Sequence, residues 1–255
     1  MQEEMTKEQV GEELAEKTPL GARMKAYWLD AAKNFTKTKM LVYAALICAL
    51  RIVVKALKIP VLPGNLTISF DAYVNALGSL VYGPLVGLLV GAVSDTIGAL
   101  LFPSGTYFFP FIFVEMSSSF LFGLFLWKRK ITVPRVILAK FAVSFFCNIV
   151  LTTLVMKWFY AYLGISKAYP FINLVRIVKN LILFPIEGIL ICFVLNAFMP
   201  PLKQLKLTQE GQMGLKPKMK DFILVGALLV LSIGLIVFYV LFLKDWLAVH
   251  NIKLF

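Results

Sequence analysis

Residues 174–198 read LVRIVKNLILFPIEGILICFVLNAF. A basic, amide-bearing helical turn (Arg176, Lys179, Asn180) runs straight into apolar sequence that holds one carboxylate, Glu187. Charge at the edge of hydrocarbon is expensive to keep unless it is used or paired, so this stretch marks a place where a polar molecule meets a membrane protein.

The rest of the chain agrees with that reading. Of its 255 residues 60% are hydrophobic and 16% charged, and the mean hydropathy is +0.82, far from the balance of a soluble domain. The expected class is all-α, a polytopic helical bundle. Apolar windows of about 19 residues fall near 40–57, 72–83, 84–102, 111–127, 136–163, 181–199 and 222–243, the scale of membrane spans. The second is short and polar for a span and abuts the third at Gly83-Pro84, a natural helix break, so the two are expected to form a tight hairpin. The length leaves no room for a nucleotide-hydrolysing domain, and no phosphate loop ending in Gly-Lys-Ser/Thr occurs. Energy from ATP therefore has to come from another chain. Catalysis has little footing either: there is no Ser-His-Asp set, no His/Glu metal motif and no nucleophile elbow. The chain is not expected to be an enzyme, nor to carry a cofactor or a metal.

The net charge of +12 points to topology before it points to nucleic acid, because membrane proteins retain Lys and Arg on the cytoplasmic side. The connection 128–135 carries Lys128, Arg129, Lys130 and Arg135, and 203–220 carries Lys203, Lys206, Lys216, Lys218 and Lys220 against Glu210. Both are expected inside, with the N-terminus also inside and 58–71, 103–110 and 164–180 outside. Only the last of these, with Lys167, Arg176 and Lys179, defies the bias, and ligand contact is one reason for it to do so. Residues 1–39 mix Glu3, Glu4, Glu8, Glu12, Glu13 and Glu16 with bases and lack a short apolar core, which argues against a secretory signal. They read as a polar tail ending in an amphipathic stretch, 24–35, along the bilayer surface. Cys48, Cys147 and Cys192 lie far apart in apolar runs without ligand spacing and read as small core residues.

Small residues recur at close-packing intervals: Ala45 and Ala49 on the first span, Gly87 and Gly91 on the third. Packing within the chain is the plainer reading of the glycines, while for the alanines it stays open. At the outer ends of the spans, Tyr107, Phe108, Phe109, Phe111, Tyr73, Asn65 and Asp71 offer a flat apolar wall with directed polar groups, fit for a ring-shaped ligand. An interfacial aromatic belt would use the same aromatic residues. Arg176, Lys179 and Arg51 are the cations best placed to meet an anionic tail, Arg through a bidentate fork, although Arg51 or Lys55 can also snorkel. Glu115, one turn into the fourth span, suits either an amino group on a ring or an internal pair. Asp95 and Glu187 lie deeper and read as structural acceptors or partners of a lysine such as Lys140. His250 sits in a polar tail with nothing around it to suggest a base or a metal.

Three stretches together resemble the substrate-binding subunit (S component) of an energy-coupling factor (ECF) vitamin transporter, most nearly the folate type: ISFDAYVNALGSLVYGPLVGLLVGAVSDTIGALLFPSGTYFFPF at 68–111, RIVKNLILFPIE at 176–187, and Ala45-x-x-x-Ala49 with Arg51. The likeness covers about residues 38–205. It implies a six-helix membrane core, 39–205, holding a vitamin such as folate or a related pterin in a pocket open to the outside. Arg51, Asn65, Asp71, Tyr73, Tyr107, Phe109, Glu115, Arg176, Lys179 and Asn180 would be the binding residues. It also implies docking through Ala45 and Ala49 onto a shared coupling subunit and two ATPase subunits in a bacterial plasma membrane. Around that core stand a polar segment 1–38, a basic loop 206–221 and an extra span within 222–255. Two features depart from the folate pattern: Phe109-Pro110-Phe111-Ile112-Phe113 replaces a Pro-Gly-Phe-Thr-like turn, and the seventh span exceeds the usual six. A self-contained secondary transporter, which would need a mid-membrane ion site or inverted repeats, is the alternative.

Overall fold

A computed structural model describes residues 20–56, 58–62, 66–103, 107–165, 174–208, 212 and 219–238. The tail 1–19, Asn65, residues 104–106, Lys167, Glu210, Lys216, Lys218 and His250 lie outside the described residues. Seven helices are described: α1 (Leu20–Lys33), α2 (Thr38–Lys55), α3 (Asp71–Leu101), α4 (Ile112–Leu126), α5 (Val133–Tyr162), α6 (Leu174–Gln204) and α7 (Met219–Phe238). Between α2 and α3, where the sequence suggested only a loop, strands β1 (Lys58–Leu62) and β2 (Leu66–Ser69) pair antiparallel as a β-hairpin.

The hairpin expected at Gly83-Pro84 is present. Gly83 adopts φ +82°, which favours a residue without Cβ, and Pro84 cannot continue the preceding hydrogen-bond ladder, so α3 breaks there into arms 71–82 and 84–101. The contacts show that the arms run back along each other. Asp71 and Asp95, 24 residues apart, meet Arg51 and Lys55, which are one turn apart on α2. The first arm, 12 residues or about 18 Å at 1.5 Å per residue, is too short for the roughly 30 Å hydrocarbon layer. Its end carbonyls would be stranded in apolar surroundings, and side chains from elsewhere supply donors: Asn34 Nδ2 to the Tyr82 carbonyl (3.1 Å) and Gln212 Nε2 to that of Leu80 (3.2 Å), Gln212 also reaching the Leu126 carbonyl at the end of α4 (3.3 Å).

The two arms and α4 pack closely through glycine. A Cβ on Gly91 would stand 2.8 Å from the Glu115 carbonyl oxygen, and one on Gly123 2.5 Å from Pro84 Cα. The glycines therefore serve packing within the chain, as the plainer reading held. Counting α3 as two arms, α2 to α6 form the six-helix core, centred on Leu80, Val81, Tyr82, Phe122, Leu126, Ile191 and Leu195, all essentially without exposure. α7 adds to its outside, where Leu224, Val225 and Leu228 pack on Val133, Ile137 and Phe184. Among the described residues, the helices at Asp71–Leu101, Phe109–Leu126, Val133–Tyr162 and Arg176–Gln204 are long and apolar enough to cross a membrane. The charges Lys39, Arg51 and Lys55 set α2 apart from these, although the last two are paired inside the bundle.

The bundle has two unlike ends. One carries the β-hairpin. The other, the basic end, carries the α4–α5 turn, and there α1 packs onto the bundle rather than standing apart from it. Tyr27 meets the Trp127 ring edge-on at 4.9 Å, Trp28 stacks on Phe120 at 6.0 Å, and Lys128 pairs with Asp30 at 2.6 Å. Ala31 and Asn34 are buried, while Met24, Leu29 and Phe35 remain exposed, so the helix is amphipathic as its sequence suggests.

Candidate functional site

Among the described residues, three clusters that contain charged side chains sit within the bundle. The largest is built on α2. The Arg51 guanidinium, 0% exposed, donates through Nε and Nη2 to both carboxylate oxygens of Asp71 (2.9 and 3.0 Å), through Nη2 to Glu115 (2.7 Å) and through Nη1 to Ser119 Oγ (3.0 Å). Ser119 Oγ in turn donates to the Glu115 backbone carbonyl at 3.0 Å. One turn on, Lys55 binds Asp95 at 2.9 Å and lies 4.0 Å from Glu115. Asp71 opens α3, Asp95 lies on its second arm and Glu115 and Ser119 lie on α4, so one face of α2 collects acids from three segments.

Among the described residues three carboxylates, Asp71, Asp95 and Glu115, face two cations, Arg51 and Lys55. The most exposed acid of the cluster is Glu115, at 28% where Asp95 is 16%, Asp71 12% and the Arg51 guanidinium 0%. Arg51 does not snorkel: the paired arrangement holds its head inside the bundle. The Lys140–Glu187 pair, at 2.5 Å with the side chains 3% and 11% exposed, joins α5 to α6 in the partnership the sequence suggested for Glu187.

The third cluster lies on α6. Arg176, Lys179 and Asn180 occupy its opening turns and are half-buried. Asn180 donates to the Arg176 carbonyl at 2.9 Å and accepts from Asn148 Nδ2 at 2.9 Å. Asn148 was missed by sequence reading. It belongs to a nine-residue π-helical stretch, Val143–Leu151, inside α5, a rare wide turn that often marks functional positions. Thr152 and Thr153 hold that stretch through hydroxyl bonds to the carbonyls of Cys147 (2.7 Å) and Ile149 (2.5 Å). Hydropathy carries no signal for such a turn; the nearest hint was an Asn and two Thr within six residues of a mostly apolar span.

Among the aromatics, Phe108 is buried beneath Phe111, Phe159 and the exposed Trp158 and Tyr162, at ring distances of 5.2–6.2 Å. Tyr107 is 40% exposed and Phe109 60%. Tyr73 is buried, meets Phe70 edge-on, and its hydroxyl has no hydrogen-bond partner among the described residues. Asn75, donating to Ser118 at 3.2 Å, is a further buried polar residue not singled out from sequence. Ala45 and Ala49 face outward on α2, on the same surface as Leu41, Val42, Leu46, Leu50 and Val53. No group of three or more His, Cys, Asp or Glu that could hold a metal occurs among the described residues.

The family described as "ECF-type riboflavin transporter, S component" matches residues 35–199. The "Folate transporter FolT" of Clostridium novyi (strain NT) is 30% identical over 158 residues, 61% of this chain and 87% of that protein. The protein of the same description from Leuconostoc mesenteroides subsp. mesenteroides is 31% identical over 160 residues, 62% of this chain and 85% of the relative. A crystal structure of FolT bound with folic acid superposes with a TM-score of 0.50 at 31% identity, covering 60% of this chain and 88% of that one.

Proposed function

Since this chain belongs to the S components of ECF-type transporters, the substrate-binding subunits of vitamin uptake, we propose that its own substrate is folate or a related pterin. The β-hairpin end would face outward and the N-terminus the cytoplasm, in a bacterial plasma membrane. Residues 39–205 would form the binding domain, with α7 an appended span. The observation that carries the choice of vitamin is the Glu115 carboxylate, the most exposed of the three acids around Arg51 and Lys55. A 2-aminopterin presents two adjacent N–H donors, its exocyclic amine and N3, which a carboxylate accepts in parallel. An isoalloxazine presents one imide N–H between two carbonyls, and a carboxylate would face those oxygens repulsively. The likeness to two folate transporters and to a folate-bound structure supports the same choice over the flavin in the family's description.

Tyr73, Tyr107 and Phe109 would supply ring contacts, and Arg176 and Lys179, ordered by Asn180 and Asn148, would meet the carboxylates of the folate tail. Arg51 and Asp71 would set the Glu115 geometry. Asn65 lies outside the described residues and keeps its place on sequence grounds only. Ala45 and Ala49 would meet a coupling subunit that carries two ATPase subunits; this chain would perform no chemistry itself. A self-powered secondary transporter is the weaker reading, because its candidate ion-site acids, Asp95 and Glu187, are each held by a lysine.

The test is titration of the purified chain with folate and riboflavin by intrinsic Trp fluorescence. Folate is expected to bind at micromolar concentration or tighter, with affinity falling at least tenfold in Glu115→Gln and in Arg176→Ala. Tighter riboflavin binding, or folate binding indifferent to both changes, overturns the proposal.

A further inference from the structure

At the basic end, away from the three polar clusters, a groove of about 520 Å³ opens between the end of α4 and the start of α5. Arg129, Arg135 and Thr132 line its polar side and Leu124, Phe125, Pro134 and Leu138 its apolar side; no carboxylate is among these residues. The nearby acid, Asp30, is already engaged by Lys128 at 2.6 Å. Lys128 adopts φ +53° and stands 4.9 Å from the centre of the Trp127 ring, so it belongs to the α1 contact, whereas Arg129 next to it borders the groove. Arg135 is fixed in place, its Nη1 donating to the Lys130 carbonyl at 2.6 Å.

Two further features give the site direction. The groove lies at the N-terminus of α5, where Thr132 makes no side-chain cap and the unpaired backbone N–H groups carry partial positive charge. From Leu138 an outward stripe continues along α5 through Phe141, which stacks on Phe145 at 6.2 Å, and these three side chains are exposed. Both flanking helices are among those long and apolar enough to cross a membrane. The arrangement is thus a cationic notch at the end of two spans, opening onto an apolar track that runs toward the bilayer interior. A soluble anion would use only the notch.

We propose that this groove binds an anionic phospholipid, its phosphate between Arg129 and Arg135 and one acyl chain along Leu138 and Phe141. The site is separate from vitamin capture and does not rest on the identity of the vitamin.

Native mass spectrometry of the full chain with phosphatidylglycerol and phosphatidylcholine tests it. The wild type is expected to retain one phosphatidylglycerol under conditions that strip phosphatidylcholine. Retention should fall about tenfold in Arg129→Ala and further in Arg129→Ala/Arg135→Ala, with Arg129→Lys partly restoring it. Leu138→Asn should also weaken retention by shortening the acyl track. Arg129→Ala, which loses no hydrogen bond described above, keeps the test valid if Arg135→Ala disturbs the turn, and unchanged vitamin binding certifies the fold. Equal retention of the two lipids, retention indifferent to Arg129, or displacement of the lipid by glycerol 3-phosphate at matched concentration would overturn the proposal; the last would reveal a site for soluble phosphates.

Discussion

Arg51 and Asp71 meet as a two-pronged pair, Nε and Nη2 against the two carboxylate oxygens at 2.9 and 3.0 Å, with the guanidinium wholly buried. This pair ties the C-terminal part of α2 to the first residue of α3 across the β-hairpin. It thereby anchors the short arm whose far end is capped by Asn34 and Gln212.

Removing one member of that pair leaves charge without compensation inside the bundle. Arg51→Met is expected to destabilise the protein by about 3–5 kcal/mol, read as thermal unfolding in detergent. Arg51→Met/Asp71→Asn should unfold at a higher temperature than Arg51→Met alone, because the stranded carboxylate is gone. If the double variant is the less stable one, the pair is not the source of the cost.

Glycine substitutions should separate by backbone distance. Gly123→Ala would place a methyl 2.5 Å from Pro84 Cα, a backbone atom that cannot rotate away, and should lower stability by about 1–3 kcal/mol. Gly188→Ala meets nothing nearer than 3.6 Å and should be close to neutral. Thermal shift assays on the two variants check the contrast.

The contact between α1 and the α4–α5 turn should respond to acid. The Lys128 hydrogen bond holds the Asp30 carboxyl below its ordinary range, outweighing the smaller upward push of burial. A lowered folded-state value means that the contribution is complete above the ordinary Asp pKa of about 3.9. It then fades as pH falls through the lower folded value. Because Asp30 is largely solvated, the effect is under about 1 kcal/mol. Hydrogen exchange of residues 20–33 should therefore be flat from pH 7 to 5 after correction for intrinsic rates, and protection should drop at lower pH. In Asp30→Asn that protection should be reduced at neutral pH, with a smaller acid-dependent change.

The outward α2 face should separate binding from uptake. Ala45→Trp and Ala49→Trp are expected to leave vitamin binding by the purified chain unchanged. They should reduce ATP-dependent uptake at least tenfold in cells carrying the coupling and ATPase subunits. Normal uptake by both variants would exclude this face as the docking surface.

How far the site was legible depended on how local its causes are. Glu187 with Lys140, and Asp95 with a lysine, could be expected because an intramembrane acid needs a partner nearby. That Lys55 rather than another lysine serves Asp95 could not, since it depends on which way α2 is turned. Arg51 looked equally suited to a ligand's tail or to the membrane edge until Asp71, Glu115 and Ser119 were found around it. Asn148 had no periodic signature, because a π-helical turn departs from the spacing on which helical reading relies.

By itself the sequence determined the membrane class, the order of the helices and the reversal at Gly83-Pro84. Hydropathy acts over a single segment, and the backbone limits of glycine and proline act within one or two residues. Only the tertiary structure decided the partners of the charges, the exposure of Glu115 within the Arg51 cluster, the close approach at Gly91 and Gly123, and the cationic groove at the α4–α5 turn. Each of these brings together residues on different segments, and such meetings are set by helix rotation and depth in the packed bundle, which no local pattern records.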